Sequence, residues 1–141
     1  LHNYAIRFQK DYVIDADYQD PTENIDNELK EVFQKLRAIN NMPNAIVGGT
    51  DTLSIKILGV LADLDFRVPD DVAVIGFTNT NLANYLNPAL STIRQPAQQM
   101  AQLALELLIR LMEKQQDRRE MEYDNFLLEA TTTYRKSTEI V

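Results

Sequence analysis

Residues 72–77 read VAVIGF, six positions with no charged or amide side chain among them. A strand with one wet face alternates apolar and polar residues. A run that is apolar throughout reads instead as a strand buried on both faces, as in parallel sheets covered by helices. Upstream, AIVGG (45–49) is a second short apolar run, stopped by Gly48 and Gly49. Still earlier, DYVIDADY (11–18) is short and rich in strand formers.

The intervening stretches have helical spacing. Pro21-Thr22 opens a helix with Glu23 in its first turn, where a carboxylate suits the positive end of the dipole. Ile25, Leu29, Val32, Phe33, Leu36 and Ile39 then fall on one side, and NNMPN (40–44) ends the run. Thr50 or Asp51 can cap the next helix, TLSIKILGVLADLD (52–65), whose buried face is Leu53, Ile57, Val60, Leu61 and Leu64. RVPDD (67–71) is a turn, with Val68 held extended by Pro69, and LHNYAIRFQK (1–10) reads as a helix end. The order α-β-α-β-α-β predicts an α/β fold: three αβα layers around a parallel sheet with right-handed crossovers.

Composition narrows the function. The 141 residues are 45% apolar and suffice for one domain with a core. The absence of Cys removes disulfides, thiolate nucleophiles and Cys-ligated metals. The single His2 has no nearby partner for a metal site or a triad, and reads as a surface residue. A formal net charge of −7 speaks against nucleic-acid binding by these residues, since phosphate contact needs clustered Lys and Arg. The densest basic points, Arg118-Arg119 and Arg135-Lys136, are short. No apolar run has the roughly 18 residues of a membrane span, and the N-terminus is unlike a secretion signal. It also lacks an initiator Met, which suggests a start inside a longer protein.

Ligands in parallel sheets bind beyond the carboxyl ends of the strands. Those ends lie around Asp17–Asp20, Gly48–Thr52 and Thr78–Asn81, the last reading TNTN. No G-x-G-x-x-G, GK[ST] or G-x-S-x-G occurs, and no acid/base pair, nucleophile pair or metal cluster stands at meaningful spacing. Enzymatic activity, cofactor and metal are therefore not expected.

LNPALSTIRQP (86–96) is a polar, proline-bracketed connector between two very apolar elements. The helix after it, AQQMAQLALELLIRLMEK (97–114), has one narrow polar stripe at Gln98, Gln102, Glu106, Arg110 and Glu113. Such a helix needs cover on more than one side.

DFRVPDDVAVIGFTN (65–79), NPALSTIRQP (87–96), the long helix and YRKST (134–138) together resemble the effector-binding core of the lac-repressor family of bacterial regulators. That family runs GL-x-VP-x-D-x-x-V-x-GF-D-D, P-x-LTT-x-x-QP, a long helix and R-x-ST. AIVGGTDTLSIKILGVL (45–61) resembles its A-x-x-x-x-ND-x-x-A-x-G-x-x-x-x-L, so the likeness covers positions 45–138. It implies a periplasmic-binding-protein fold of two subdomains joined by crossing strands, with LSTIRQP as one crossing. Residues 1–96 would be the C-terminal effector-binding subdomain. Residues 97–120 would be a helix packed on an N-terminal subdomain outside this sequence, and 121–141 a return strand and tail.

The resemblance also implies a small-molecule effector, often a sugar or purine, gripped between the subdomains of a cytoplasmic homodimer. DNA would be held only by a helix-turn-helix outside this sequence, and no membrane would be involved. Family contacts map to Thr50 (usually Asn), Asp51, Thr78 (usually Asp), Asn79 and Gln95. Tyr18 and Asp20 could stack on or hydrogen-bond the ligand from the first strand's exit. Thr78 offers one hydroxyl where a carboxylate would accept two, so the effector is atypical, weakly held or read by other residues. The rival of the same fold is a periplasmic sugar-binding transport protein.

Overall fold

The computed structural model describes residues 9–14, 25–114 and 125–139. Of the expected first strand only 11–14 are described, and Lys10–Tyr12 form a single 3-10 turn. The elements in order are α1 (Ile25–Ala38), β1 (Ala45–Val47), α2 (Asp51–Asp63), β2 (Ala73–Phe77), β3 (Ser91–Arg94), α3 (Ala97–Lys114) and β4 (Thr131–Thr133).

α1 buries Ile25, Leu29, Phe33 and Leu36, the i, i+4 stripe its sequence announces. Ile39, expected on that face, is 68% exposed because the helix has ended at Ala38. Asn40 follows with φ 52°, a left-handed conformation that Asn tolerates better than most residues. α2 is capped by Thr50, whose hydroxyl accepts the Leu53 N–H at 3.1 Å. The Asp51 side chain makes its bonds elsewhere, so of the two capping candidates Thr50 performs that role.

The sheet order is β1-β2-β3-β4. β1, β2 and β3 run parallel, and β4 lies antiparallel on β3 with Thr92 opposite Thr133. The sheet is therefore mixed rather than wholly parallel. β3 is also a finding, because it is the STIR of the polar connector and sits between β2 and β4. Its Ser91 and Thr92 are fully buried, yet both hydroxyls are hydrogen-bonded, which is what makes a polar pair tolerable inside a sheet.

Three parallel strands stepping one way across a sheet bring right-handed connections onto the same face. Accordingly Val72 and Val74 join one core with Leu29 and Phe33 of α1, Ile57, Val60 and Leu61 of α2, and Ala83 and Leu90 of the β2–β3 connection. The alternate residues Ala73, Ile75 and Phe77 are only half-buried. VAVIGF is thus buried on one face, not evenly on both. Phe77 lines a groove with Met100, Leu103 and Leu107 of α3, but no described side chain of α3 is fully buried. Leu105, Leu108, Ile109 and Met112 are each about half exposed or more.

Arg67 and Asp71 close the turn into β2 with a side-chain contact at 2.6 Å. The hydrogen bond from Arg67 holds the Asp71 carboxyl below the ordinary carboxylate range, and the bond to Asp71 raises Arg67 in turn. This stabilisation is present above the unfolded carboxylate pKa and is lost as pH falls through the lowered value. Arg67→Ala should move the Asp71 titration, followed by carbon NMR, up toward the ordinary range, with part of the lowering kept because the Arg67 backbone N–H still donates to Asp71 Oδ2 at 2.8 Å. An unmoved titration would mean that another group sets it.

Two glycines give opposite expectations. A Cβ at Gly76 would run into Asp51 Oδ1 and lie 3.1 Å from Leu90 Cδ2. Gly76→Ala should therefore destabilise by about 1–3 kcal/mol in chemical denaturation. Gly59, inside α2 with open space where a Cβ would go, should give about 0.5–1 kcal/mol of added stability when changed to Ala.

Candidate functional site

The carboxyl ends of β1, β2 and β3 converge, and one buried carboxylate joins them. Asp51 opens α2 and is 1% exposed. Its Oδ2 accepts the Thr80 N–H at 2.6 Å and its Oδ1 accepts the Thr92 hydroxyl at 2.6 Å. Thr92 Oγ1 in turn accepts the Asn79 N–H at 3.1 Å, and the Thr78 N–H reaches the Ile93 carbonyl at 2.9 Å. All three amides of the turn after β2 are therefore satisfied by β3 or by Asp51.

That turn is strained. Thr78 has φ 138° and Asn79 φ 63°. A β-branched residue at positive φ is a conformational outlier, of the kind that persists where surrounding contacts over-determine it. The Thr78 side chain is exposed, whereas Asn79 is half-buried and its Oδ1 accepts Arg135 Nη2 at 2.9 Å.

Thr78 opens onto a cleft of about 590 Å³. Its other walls are Arg94, Gln95 and Pro96, the first turn of α3 (Ala97–Gln99), and Glu129 and Thr131, the last on β4 beyond β3. Phe77 pairs with Ile93 and Arg94 with Thr131, so Thr78, Arg94 and Thr131 come at one level on three neighbouring strands. The walls offer hydroxyls, primary amides, one guanidinium and one carboxylate. A small polyhydroxylated or mixed polar ligand can find both donors and acceptors there.

Of the residues singled out from sequence, Thr78 and Gln95 are brought together in this cleft. Thr50, Asp51 and Asn79 are not among its walls. The Thr50 hydroxyl caps α2, Asp51 is buried in the network beneath, and Asn79 is held by Arg135. Tyr18 and Asp20 lie outside the described residues. Sequence reasoning missed Arg94 on β3, although it stands directly before Gln95 in the recognised motif, and Glu129 and Thr131 before and at β4, where no motif points to a ligand. The YRKST ending was the available signal for Arg135. Among the described residues no group of three or more His, Cys, Asp or Glu is placed to hold a metal ion.

A mixed αβ sheet with a polar cleft at the carboxyl ends of its parallel strands has the architecture in which such sheets place their ligands. The chain belongs to the periplasmic binding protein-like domain family, whose model matches residues 3–138. It is similar to the transcriptional repressor PurR of Photorhabdus laumondii, 30% identical over 130 residues, covering 92% of this chain and 36% of that one. The PurR repressor of Vibrio parahaemolyticus is 36% identical over 92 residues, covering 64% of this chain and 28% of that one. Among solved structures, a regulator of the lac-repressor family from Lactobacillus casei with bound sucrose superimposes with a TM-score of 0.58. It is 25% identical and covers 79% of this chain and 40% of that one. The lac-repressor resemblance drawn from the sequence is thus borne out. The chain spans well under half the length of each of these relatives.

Asp51→Ala would leave the Thr80 N–H and the Thr92 hydroxyl without their acceptor. Bonds to a charged acceptor carry about 1.5–3 kcal/mol, and denaturant unfolding should show a loss of that order. A change near zero would mean that water replaces the carboxylate.

Proposed function

We propose that this chain belongs to the effector-binding part of a DNA-binding transcription regulator, and that the cleft at Thr78 and Gln95 is one wall of its small-molecule site. The observation that carries the reading is the cleft itself, at the carboxyl ends of parallel strands in a chain whose relatives are repressors. In this reading the whole protein is a cytoplasmic homodimer that reads DNA through a helix-turn-helix elsewhere in its sequence. Thr50, Asp51 and Asn79 then support the site from beneath. The exposed apolar side of α3 is the surface another part of the whole protein covers. The transport-protein alternative is less favoured because the matched relatives are repressors.

A sugar is the proposed effector class, supported by the sucrose bound to the Lactobacillus casei regulator and by the cleft chemistry. Thr78 lacks the charged acceptor expected at its position, but Glu129 supplies a carboxylate across the same cleft. A charged acceptor for sugar hydroxyls is worth about 1.5–3 kcal/mol, or roughly 10- to 150-fold in affinity. The proposed mechanism is a population shift: effector favours one closure of the domain, and the spacing of the DNA readers follows. Calorimetry of the whole protein with sucrose and other di- and monosaccharides tests this. Glu129→Gln should weaken binding of the best sugar by that factor, and Thr78→Asp should change the ranking of sugars. Binding indifferent to both substitutions would sink the assignment of the cleft.

A further inference from the structure

Arg135 is 57 residues beyond Thr78 in sequence and lines no wall of the cleft, yet its guanidinium spans the whole β2–β3 connection. Nη2 donates to Asn79 Oδ1 at 2.9 Å, Nε to Asn84 Oδ1 at 2.7 Å, and Nη1 to the Leu90 carbonyl at 2.6 Å. Its own N–H donates to Ser91 Oγ at 2.7 Å, which anchors its backbone to β3. One planar fork thus grips the start, middle and end of residues 79–90. Arg suits this role because its donors are fixed in one plane and always charged.

We infer that Arg135 is a positioning residue: through Asn79 it holds the strained Thr78–Asn79 turn in the conformation that presents Thr78 to the cleft. The inference rests on the cleft being the effector site only for its functional meaning. The mechanical part stands on the turn itself. Asp51 and Thr92 satisfy the turn's amides from below, but an amide bond alone does not prevent a β-branched residue from relaxing toward negative φ. The Asn79 side chain is the handle on the other side, and Arg135 is the donor on it. Arg135 also continues the segment that carries Glu129 and Thr131. One segment thus carries both the Glu129 and Thr131 lining and the residue that holds the Thr78 turn, while the spacing across β3 is set by the pairing of β2, β3 and β4.

The test uses amide hydrogen exchange of Asn79 and Thr80 in the full chain, read against Val60 and Leu61 in α2. Arg135→Gln should speed exchange at Asn79 and Thr80 by about tenfold while the α2 amides stay unchanged. Thr78→Gly on top of Arg135→Gln should restore slow exchange, because glycine occupies positive φ without strain and no longer needs the clamp. A merely structural role would not show this rescue. A uniform rise that includes α2, or a Gly double variant as fast as Arg135→Gln alone, overturns the inference. If Arg135→Gln does not fold, Arg135→Lys serves: it keeps the charge but loses the fork, so exchange at Asn79 and Thr80 should still rise, and unchanged exchange overturns the idea. None of these readings requires a ligand, so a failure of the sugar assignment would appear in calorimetry and leave this result standing.

Discussion

The buried carboxylate of Asp51 is the constraint around which the strand ends are arranged. It sits at the first position of α2, beneath two strands, and is reached by an amide from the β2 turn and a hydroxyl from β3. Removing a charge from water is tolerable only where its lone pairs are engaged, which fixes what stands around it. Gly76 must have no Cβ, because that space is occupied by Asp51 Oδ1. Thr92 must carry a hydroxyl although it lies at the centre of a sheet. Gly48 yields room in the same way to Ser54, whose hydroxyl donates back to the Thr50 carbonyl. A helix start, a strand end and a turn are thereby locked in one register.

Polar groups hold the β3 side of the sheet as apolar ones hold the β2 side. Ser91 meets the Arg135 backbone and Thr138, and Ser137 bonds both the Ser91 amide and the Val74 carbonyl. The tail after β4 is therefore stitched to β2 and β3 by hydroxyls rather than by a hydrophobic stripe. Hydroxyls are short and geometrically demanding, so the stitching specifies register more tightly than apolar contact does. This is how a segment distant in sequence comes to govern the turn that faces the cleft.

The two faces of the sheet are unequal for a topological reason. Successive parallel steps in one direction bring α2 and the β2–β3 connection to one side, where α1 packs on α2 and Phe33, Leu61 and Val74 close a dry core. The other side carries Ile75 and Phe77 at intermediate burial and borders the groove of α3. α3 on that side has one narrow polar stripe and leaves Leu105, Leu108, Ile109 and Met112 about half exposed or more.

Local pattern alone determined much of this. The i, i+4 stripes of α1 and α2, the apolar runs of β1 and β2, and the carboxyl ends of the parallel strands were all legible, because periodicity and turn residues act over a few positions. The family likeness added Thr78 and Gln95, which do meet in one cleft. What the sequence could not show depends on groups far apart along the chain. By composition STIR reads as a polar connector and the family likeness makes it a crossing strand, but only the structure shows Asp51 and the residues after Tyr134 satisfying its hydroxyls inside the sheet. Asp51 reads equally well as a cap until Thr50 takes that bond and frees the carboxylate to point inward. Ile39 continues the apolar stripe, but the chain turns at Asn40 before it can be buried. Glu129 carries no local signal, and Arg135 stands in a recognisable YRKST ending that does not say what the guanidinium grips. Only the antiparallel pairing of β4 with β3 brings one to the cleft and the other to Asn79, since a hydrogen-bonded register, unlike a propensity, is a property of two strands together.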